Sequence, residues 1–427
     1  MNKKKIVSLL LTAAMTFGLF AGCGSSAGSS GTGSQSGASG ADTIKIGVSG
    51  PTTGDSAESG VNVNAGIELA IKEVNDAGGI TVDGETKQVE AIFYDTGSDA
   101  QTGLSNCEKL ITSDKVDFLW CEAFNSAVGI ATMELAKKYD IPMATLEPVS
   151  SAISDKVVQD PDSYKYFFKF GWDSSAYGET CANTVLELVA EGKLSLPNKK
   201  IAICGDETDY GRSNLAAIVD NLEAQGYTVV SENYWQFGST DLYSVISDIK
   251  SSDAEIIFSC STTVATGVAL IKQLKENGLE DMPHMAIYYP GMPEFGSQIG
   301  NSADGLLWAP MTIDVENNED LKALEEKLKE FNGDDLTFDH LDGYSCMKVV
   351  LDAIAKAGSL DSDKIAEALL DQEGYDTPKG LIVFNEENHT ILHGEGYVPV
   401  MSAQIQDAKS YVIYPDSSAT SEYQPIQ

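Results

Sequence analysis

Apolar and polar positions along this chain follow two alternating periods. Short runs of apolar and β-branched residues, typical of buried strands, alternate with segments whose apolar residues repeat every three or four positions, as on one helix face. The predicted strands cover residues 44–48, 89–94, 116–121, 141–145, 200–204, 255–259, 284–288 and 306–309. The predicted helices cover residues 65–77, 102–112, 126–138, 177–191, 215–225, 264–277 and 321–331. This order predicts an α/β fold of βαβ units, with mainly parallel sheets flanked by helices.

The chain has 427 residues, a length that fits two such sheets better than one. After residue 310 the pattern turns to long helices and then, towards the C-terminus, to strand-like runs. We therefore expect the last part of the chain to return to both sheets. The prediction is an N-terminal lobe of residues 43–170 and 310–385 and a C-terminal lobe of residues 171–309 and 386–427, with the ligand cleft between the lobes.

The N-terminus has the pattern of a secretory signal. Three lysines precede an apolar run over residues 6–20, which is short for a membrane span, and small residues follow. The Ala-Gly-Cys sequence that ends at Cys23 resembles a bacterial lipobox, in which the cysteine becomes lipid-modified. Residues 1–23 are thus predicted to be a signal peptide, and the Gly/Ser-rich residues 24–42 a flexible linker. We expect an extracytoplasmic protein that is lipid-anchored to the cell membrane through Cys23.

The composition excludes some partners. The chain has 28 basic and 64 acidic residues and a formal net charge of −36, so nucleic acid and anionic lipid are poor partners. Hydrophobic residues make up 42 %, which argues against disorder beyond the linker. The cysteines other than Cys23 form no C-x-x-C unit and mostly lie in apolar runs, so most are expected to be free and buried.

Catalytic and metal motifs are missing from the sequence. The 4 histidines form no H-E-x-x-H motif, and no phosphate-binding glycine loop follows a predicted strand. Ser247 and Ser345 each begin an S-x-x-K pattern, but the companion motifs of penicillin-binding enzymes are absent. We therefore expect no enzyme, no metal and no cofactor.

Polar and aromatic residues follow the predicted strands, where ligands of parallel α/β folds bind. Helix-start N–H groups and hydroxyls there suit a carboxylate, an acid such as Glu147 suits an ammonium, and aromatic rings cover apolar groups. This inventory predicts a small polar or zwitterionic ligand. The residues singled out after the strands include Asn125, Ser126, Ala127, Leu146, Glu147, Trp172, Tyr177, Thr262, Thr263, Tyr288 and Tyr289.

Several stretches of the folded part have a sequence pattern that is known from one protein family. They are residues 44–48 with Thr53-Gly54 after them, then 66–70, 75–80, Tyr94-Asp95, 209–211, 305–307 and 379–385. Together they resemble the leucine/isoleucine/valine-binding protein family, the extracytoplasmic binding components of ABC importers. The resemblance implies the type I two-lobe fold of periplasmic binding proteins, closure of the lobes around a ligand, and delivery to a membrane permease.

The resemblance also implies roles for site residues. In that family a serine at the start of the helix after the third strand, and groups after the fourth strand, hold the ligand's carboxylate and ammonium. Here these positions are Ser126 and Thr145, Leu146 and Glu147. Second-lobe contacts are implied for Trp172, Tyr177, Thr262, Thr263, Tyr288 and Tyr289.

The leading hypothesis is thus a substrate-binding lipoprotein that captures a branched-chain amino acid or a related solute. One alternative keeps the fold and makes the protein a ligand sensor for a membrane receptor, and another makes it a binder of an amide or aromatic acid. A surface hydrolase is the least favoured, because no nucleophile and base are placed together. A monomer is expected for a tethered receptor.

Overall fold

The structure is a computed structural model that describes residues 43–54, 56–310, 313–394 and 396–425. The predicted signal peptide, the predicted lipidation site Cys23 and the linker at 24–42 lie outside the described residues. Across the described ranges, no helix is long and apolar enough to cross a membrane.

The first part of the chain alternates strands and helices. Its elements are β1 (Ile44–Gly50), α1 (Ala57–Asp76), β2 (Ile80–Val82), β3 (Glu85–Lys87), β4 (Val89–Asp95), α2 (Ala100–Lys109), β5 (Phe118–Glu122), α3 (Ser126–Thr132), β6 (Met143–Thr145), α4 (Ser151–Gln159) and β7 (Phe167–Lys169). A π-helical turn over Leu110–Asp114 and a 3₁₀ turn over Met133–Lys137 extend α2 and α3.

The second part repeats this alternation. Its elements are α5 (Ser174–Ala190), β8 (Lys200–Asp206), α6 (Asp209–Glu223), β9 (Thr228–Trp235), α7 (Tyr243–Ser251), β10 (Ile256–Ser261), α8 (Val264–Glu276), β11 (His284–Tyr288), α9 (Pro293–Ile299) and β12 (Leu307–Ala309). The remaining elements are α10 (Glu319–Phe331), α11 (Phe338–Ala357), α12 (Ser362–Leu369), β13 (Tyr375–Thr377), β14 (Gly380–Ile382), β15 (Ser402–Gln406) and β16 (Lys409–Tyr414).

Two separate sheets carry the fold. Within the described residues, the first sheet has the strand order β4-β1-β5-β6-β7 and is entirely parallel. The second has the order β16-β15-β12-β11-β10-β8-β9, in which β8 to β12 are parallel to one another, whereas β15 pairs antiparallel with β12 and with β16. The predicted α/β fold with mainly parallel sheets is confirmed.

The strand orders explain where a ligand can bind. In each sheet the chain starts at an inner strand, β1 or β8, adds one neighbour on one side and then continues on the other side. Such an order leaves a crevice at the carboxyl ends of the two strands where the direction reverses. These crevices lie between β1 and β5 in the first sheet and between β8 and β10 in the second.

The late helix α11 packs closely on α1. A side chain at Gly66 on α1 would meet the carbonyl oxygen of His340 on α11 at 2.2 Å, and one at Gly343 would meet the carbonyl oxygen of Val63 at 2.2 Å. Glycine at both positions therefore lets the two helix backbones touch. Because α11 is buried along most of its length, polar residues on its inner face need partners inside the protein.

Candidate functional site

The carboxyl ends of both sheets line one cavity of about 220 Å³. This volume is below the roughly 300–1,000 Å³ of clefts for drug-sized ligands, so it suits a small molecule. The described residues that line it are Ser98, Phe124, Asn125, Ser126, Ala127, Glu147, Val149, Tyr177, Thr208, Asp209, Tyr210, Phe237, Thr262 and Tyr288.

The start of α3 forms one wall of this cavity. The side-chain oxygen of Asn125 caps the helix by accepting from the backbone N–H of Ala127 at 2.9 Å and of Val128 at 3.3 Å. The Ser126 hydroxyl accepts from the backbone N–H of Ser150 at 3.2 Å, which leaves its proton available to a ligand. A helix start with a hydroxyl beside it favours an anionic group such as a carboxylate.

Glu122, at the end of β5, holds this wall in place. Its Oε1 accepts from the backbone N–H groups of Phe124 and Asn125, both at 2.8 Å. Among the described residues, no donor reaches its Oε2, and the side chain is fully buried. Burial raises the pKa of Glu122 to about 8, although the two N–H donors act in the opposite direction.

Glu122→Gln should change the pH dependence of stability. The folded protein keeps the Glu122 proton up to pH of about 8, whereas the unfolded chain loses it near the ordinary value of 4.5. Unfolding therefore releases a proton within this window, and the contribution of Glu122 to stability decreases as pH rises through it. We expect wild type to lose a few kcal/mol relative to Glu122→Gln between pH 5 and 8. Urea denaturation at both pH values measures this difference, and parallel pH profiles for the two proteins would contradict it.

The second sheet supplies the opposite wall through two more helix starts. Thr208 caps α6 by accepting from the backbone N–H of Gly211 at 3.0 Å. The buried Asp206 accepts from the Trp235 indole at 2.8 Å and from the backbone N–H of Thr262. These bonds fix the loops that follow β8 and β10. They therefore hold Thr208 and Thr262 in the cavity wall, at the crevice of this sheet.

Aromatic rings give the cavity an apolar side. Phe124 and Tyr288, from opposite walls, have ring centroids 5.4 Å apart. Tyr288 also has a positive φ of 73°, a strained conformation for a tyrosine that is characteristic of functional sites. Phe237, which is 45 % exposed, adds a third ring to the lining.

Several polar groups of the lining residues have no partner inside the protein. Within the described residues, no hydrogen-bond partner reaches the hydroxyls of Tyr177, Tyr210 and Thr262 or either carboxylate oxygen of Glu147. Leaving such groups buried and unpaired costs roughly 1–3 kcal/mol each. A ligand with complementary polar groups would satisfy them.

The charge of the lining is one-sided. Among the described residues that line the cavity, Glu147 and Asp209 are acidic and none is a lysine, arginine or histidine. The cavity thus has an acidic and aromatic lining, to which the start of α3 adds the Ser126 hydroxyl. This combination suits a small zwitterion with an apolar part.

The structure brings some of the predicted site residues together and separates others. Asn125, Ser126, Ala127, Glu147, Tyr177, Thr262 and Tyr288 line the cavity. Five further predicted residues lie outside its lining. Leu146 is in the apolar core, Thr145 ends β6, Thr263 caps α8, Tyr289 bonds to Ser259 at 3.1 Å, and Trp172 faces a separate cavity beside Lys379.

Other lining residues were not predicted. Thr208, Asp209 and Tyr210 follow β8, which was a predicted strand, so the reasoning about strand ends applies to them although the predicted set of site residues left them out. Phe237 follows β9, an edge strand that the apolar pattern did not reveal. Ser98 follows β4, and its loop was not considered.

The described residues contain no cluster of metal-ligating side chains. The cysteines at 107, 121, 181, 204, 260 and 346 are free and buried, in agreement with the expectation for most of them. Burial raises the pKa of each of these thiols, which makes them poor nucleophiles.

Comparisons with known proteins agree with this architecture. The model of the periplasmic binding protein family matches residues 43–420. The leucine-, isoleucine-, valine-, threonine- and alanine-binding protein of Pseudomonas aeruginosa is 27% identical over 347 residues, which cover 81% of this chain and 87% of that protein.

Solved structures of similar proteins have the same fold. A putative branched-chain amino acid ABC transporter protein from Silicibacter pomeroyi superposes with a TM-score of 0.79 at 21% identity, covering 90% of this chain and 99% of that chain. A branched-chain amino acid substrate-binding protein from Streptococcus pneumoniae, in complex with isoleucine, has a TM-score of 0.72 at 20% identity and covers 88% of this chain and 100% of its own. A solute-binding protein from R. palustris in complex with 4-hydroxybenzoate has a TM-score of 0.71 at 23% identity, with coverage of 90% and 98%.

Proposed function

This chain belongs to the periplasmic binding protein family, and from that premise we propose that it is the extracytoplasmic substrate-binding protein of an ABC importer. Its ligand is a small amino-acid-like solute. The names of the similar proteins, several of which refer to branched-chain amino acids and ABC transporters, support this proposal.

The observation that carries the proposal is the combination of groups in one cavity. The start of α3, with the Ser126 hydroxyl, suits a carboxylate, and the unpartnered Glu147 carboxyl suits an ammonium. Phe124, Val149 and Tyr288 provide apolar surface beside them. An amino acid with an apolar side chain carries all three complementary groups.

Capture by lobe closure follows from the position of this cavity. Its walls come from two different sheets, so a ligand that contacts both walls favours the state in which they are close. In this proposal residues 43–170 and 310–385 form the N-terminal lobe, and residues 171–309 and 386–427 form the C-terminal lobe.

The same proposal includes the N-terminal segment. Lipidation at Cys23 would anchor the protein to the cell membrane, and the Gly/Ser-rich linker would let a monomer reach a membrane permease repeatedly. Mass spectrometry of the mature N-terminus tests the anchor, and co-purification with the permease tests the partner.

A ligand panel tests the function. The panel contains leucine, isoleucine, valine, threonine, alanine and phenylalanine, with 4-hydroxybenzoate as an acid that lacks an ammonium. Because a ligand stabilises the folded state that binds it, one group of compounds should raise the melting temperature. We expect apolar amino acids to do so. The proposed ligand class would be contradicted if no amino acid changed the melting temperature at concentrations up to about 1 mM. A Kd of 1 mM corresponds to a binding free energy of about −4 kcal/mol, so the test detects binding of at least this strength.

Ser126→Ala should weaken binding of the amino acid found in this panel. The hydroxyl is proposed to donate to the ligand carboxylate, and a hydrogen bond to a charged group contributes about 1.5–3 kcal/mol, so the Kd should rise roughly ten- to hundredfold. Isothermal titration calorimetry measures the change. Ser297→Ala is the control, because Ser297 is exposed on α9, outside the cavity lining, and its hydroxyl donates to the carbonyl of Glu294 at 2.9 Å. Equal Kd values for both variants would show that α3 does not hold the carboxylate.

A further inference from the structure

Tyr288 contacts the side of the first sheet at two points. Its hydroxyl oxygen lies 3.2 Å from that of Ser59 on α1, in a buried hydrogen bond in which either group can donate. Its ring centroid lies 5.4 Å from that of Phe124, which follows β5 of the first sheet. Tyr288 itself ends β11 of the second sheet. Both contacts therefore join residues that belong to different sheets.

Ser59 is held on the side of the first sheet. It lies in the first turn of α1, which follows β1, and it is 3 % exposed. A side chain at the next position, Gly60, would overlap the carbonyl of Pro51, so the start of α1 packs directly on the chain that leaves β1. The Ser59 hydroxyl also donates to Sδ of Met292, which follows β11, at 3.7 Å. Ser59 is thus fixed beside one sheet while its hydroxyl contacts two residues of the other.

The backbone of Tyr288 is fixed by the second sheet. β11 lies between β10 and β12, and Tyr288 pairs with Ser261 at the end of β10. Its φ of 73° and ψ of −66° are those of the rare and strained γ-turn. The next residue, Tyr289, anchors this turn, because its hydroxyl bonds to that of Ser259 at 3.1 Å and its ring centroid lies 5.3 Å from that of Phe295. Such a conformation persists where the surrounding contacts determine it.

The contacts of Tyr288 depend on the distance between the two sheets. If the sheets move apart, as opening of the lobes in the proposed function requires, the hydrogen bond to Ser59 and the ring contact with Phe124 both break. Water then pairs with the two hydroxyls. Contacts that exist in only one of two arrangements stabilise that arrangement. The closed arrangement therefore gains this hydrogen bond and this ring contact.

We propose that Ser59 and Tyr288 form a latch between the two sheets, in which Ser59 is a positioning residue for the ligand cavity. Of these two described residues, Tyr288 lines the cavity and Ser59 does not, so Ser59 acts on the ligand through Tyr288. The inference rests on the proposed function and adds what holds the cavity walls together. Because the ligand binds the closed arrangement, its apparent affinity decreases with the fraction of closed molecules.

Ser59→Ala should weaken binding of the amino acid that the ligand panel identifies. In this variant the Tyr288 hydroxyl has lost its partner when the walls close, and a buried unpaired hydroxyl should raise the Kd by about tenfold or more. Isothermal titration calorimetry with the purified full chain measures the change. Ser252→Ala is the control, because the Ser252 hydroxyl donates to the carbonyl of Ile249 at 2.7 Å within its own turn. Equal Kd values for the two variants would overturn the latch.

Adding Tyr288→Phe to Ser59→Ala distinguishes a latch from a merely structural role of Ser59. Phenylalanine keeps the ring beside Phe124 and removes the hydroxyl that Ser59→Ala leaves unpaired. The double variant should therefore bind more tightly than Ser59→Ala, by at least about threefold. If the Tyr288 hydroxyl contacts the ligand and Ser59 only supports the fold, the double variant should bind more weakly than either single variant. That result, with all variants folded by their melting curves, would refute the proposal.

A distance measurement without ligand separates this inference from the proposed function. Spin labels are placed on cysteines at Gln101 on α2 and Lys272 on α8, which are exposed and lie beside different sheets. The cysteines of the described residues are buried, and a Cys23→Ser background removes the one other thiol. Electron–electron resonance then reports the ratio of closed to open molecules. In Ser59→Ala this ratio should fall at least about threefold.

The outcomes of this measurement are independent of the ligand panel. If the ratio falls in Ser59→Ala and no amino acid binds, the latch stands and the proposed ligand class is rejected. If amino acids bind and the distance distribution of Ser59→Ala equals that of the wild type, amino-acid capture stands and the latch is rejected.

Discussion

Lys379→Met is expected to destabilise the protein by about 3–5 kcal/mol, the usual cost of removing one partner from a buried ion pair. The substitution leaves Asp342, whose side chain is 0% exposed, without a counterion beside Glu147 and Asp339. The midpoint of urea denaturation measures the loss of stability.

Two further variants make this prediction specific. Adding Asp342→Asn to Lys379→Met should recover much of the lost stability, because no uncompensated charge remains at that position. Lys72→Met is the matched control, since Lys72 pairs with Asp76 on the surface and both side chains are more than half exposed. It should change the free energy of unfolding by less than about 1 kcal/mol. Equal effects of Lys379→Met and Lys72→Met would refute the argument.

Gly66→Ala should destabilise the contact between α1 and α11 by about 3 kcal/mol, the upper end of the usual cost of overpacking. The added methyl would lie 2.2 Å from the carbonyl oxygen of His340 and 2.7 Å from the backbone nitrogen of Tyr344. Both atoms belong to the backbone, so no side-chain rotation relieves the clash and the helices must separate. Thermal and urea unfolding measure the loss.

Gly296→Ala is the control for this substitution. Gly296 lies within α9, and no atom would come within 4 Å of a side chain there. Alanine is favoured over glycine in a helix by about 1 kcal/mol, so this variant should be unchanged or slightly more stable. If Gly66→Ala behaved in the same way, the close approach of α1 and α11 would be wrong.

The regular alternation of apolar runs and helical periods predicted the fold class and most of its elements. Strands such as β5 and β11 are buried along their whole length and mainly apolar, so their signal is strong. β9 was missed because it lies at the edge of its sheet, where six of its eight residues are exposed or partly exposed. The short helices α4, α7 and α9 were also missed, since they contain too few turns for a clear period.

The site was predictable only in part. Residues directly after buried strands, such as Ser126, Glu147 and Tyr288, were found because the ends of parallel strands meet at one edge. Residues that reach the cavity from an edge strand, such as Phe237, left no such signal.

Local sequence is enough to predict the α/β class, the mainly parallel strands, the acidic charge and the segments that end at the ligand side of each sheet. These depend on local periodicity and composition, which act over a few residues. The tertiary structure determines which strand-end residues line one cavity and which are buried in the core. The ion pair of Asp342 with Lys379, and the lack of a hydrogen-bond partner among the described residues for the carboxylate oxygens of Glu147, also depend on the tertiary structure, because burial and long-range contact, not residue type, determine where a charge is balanced.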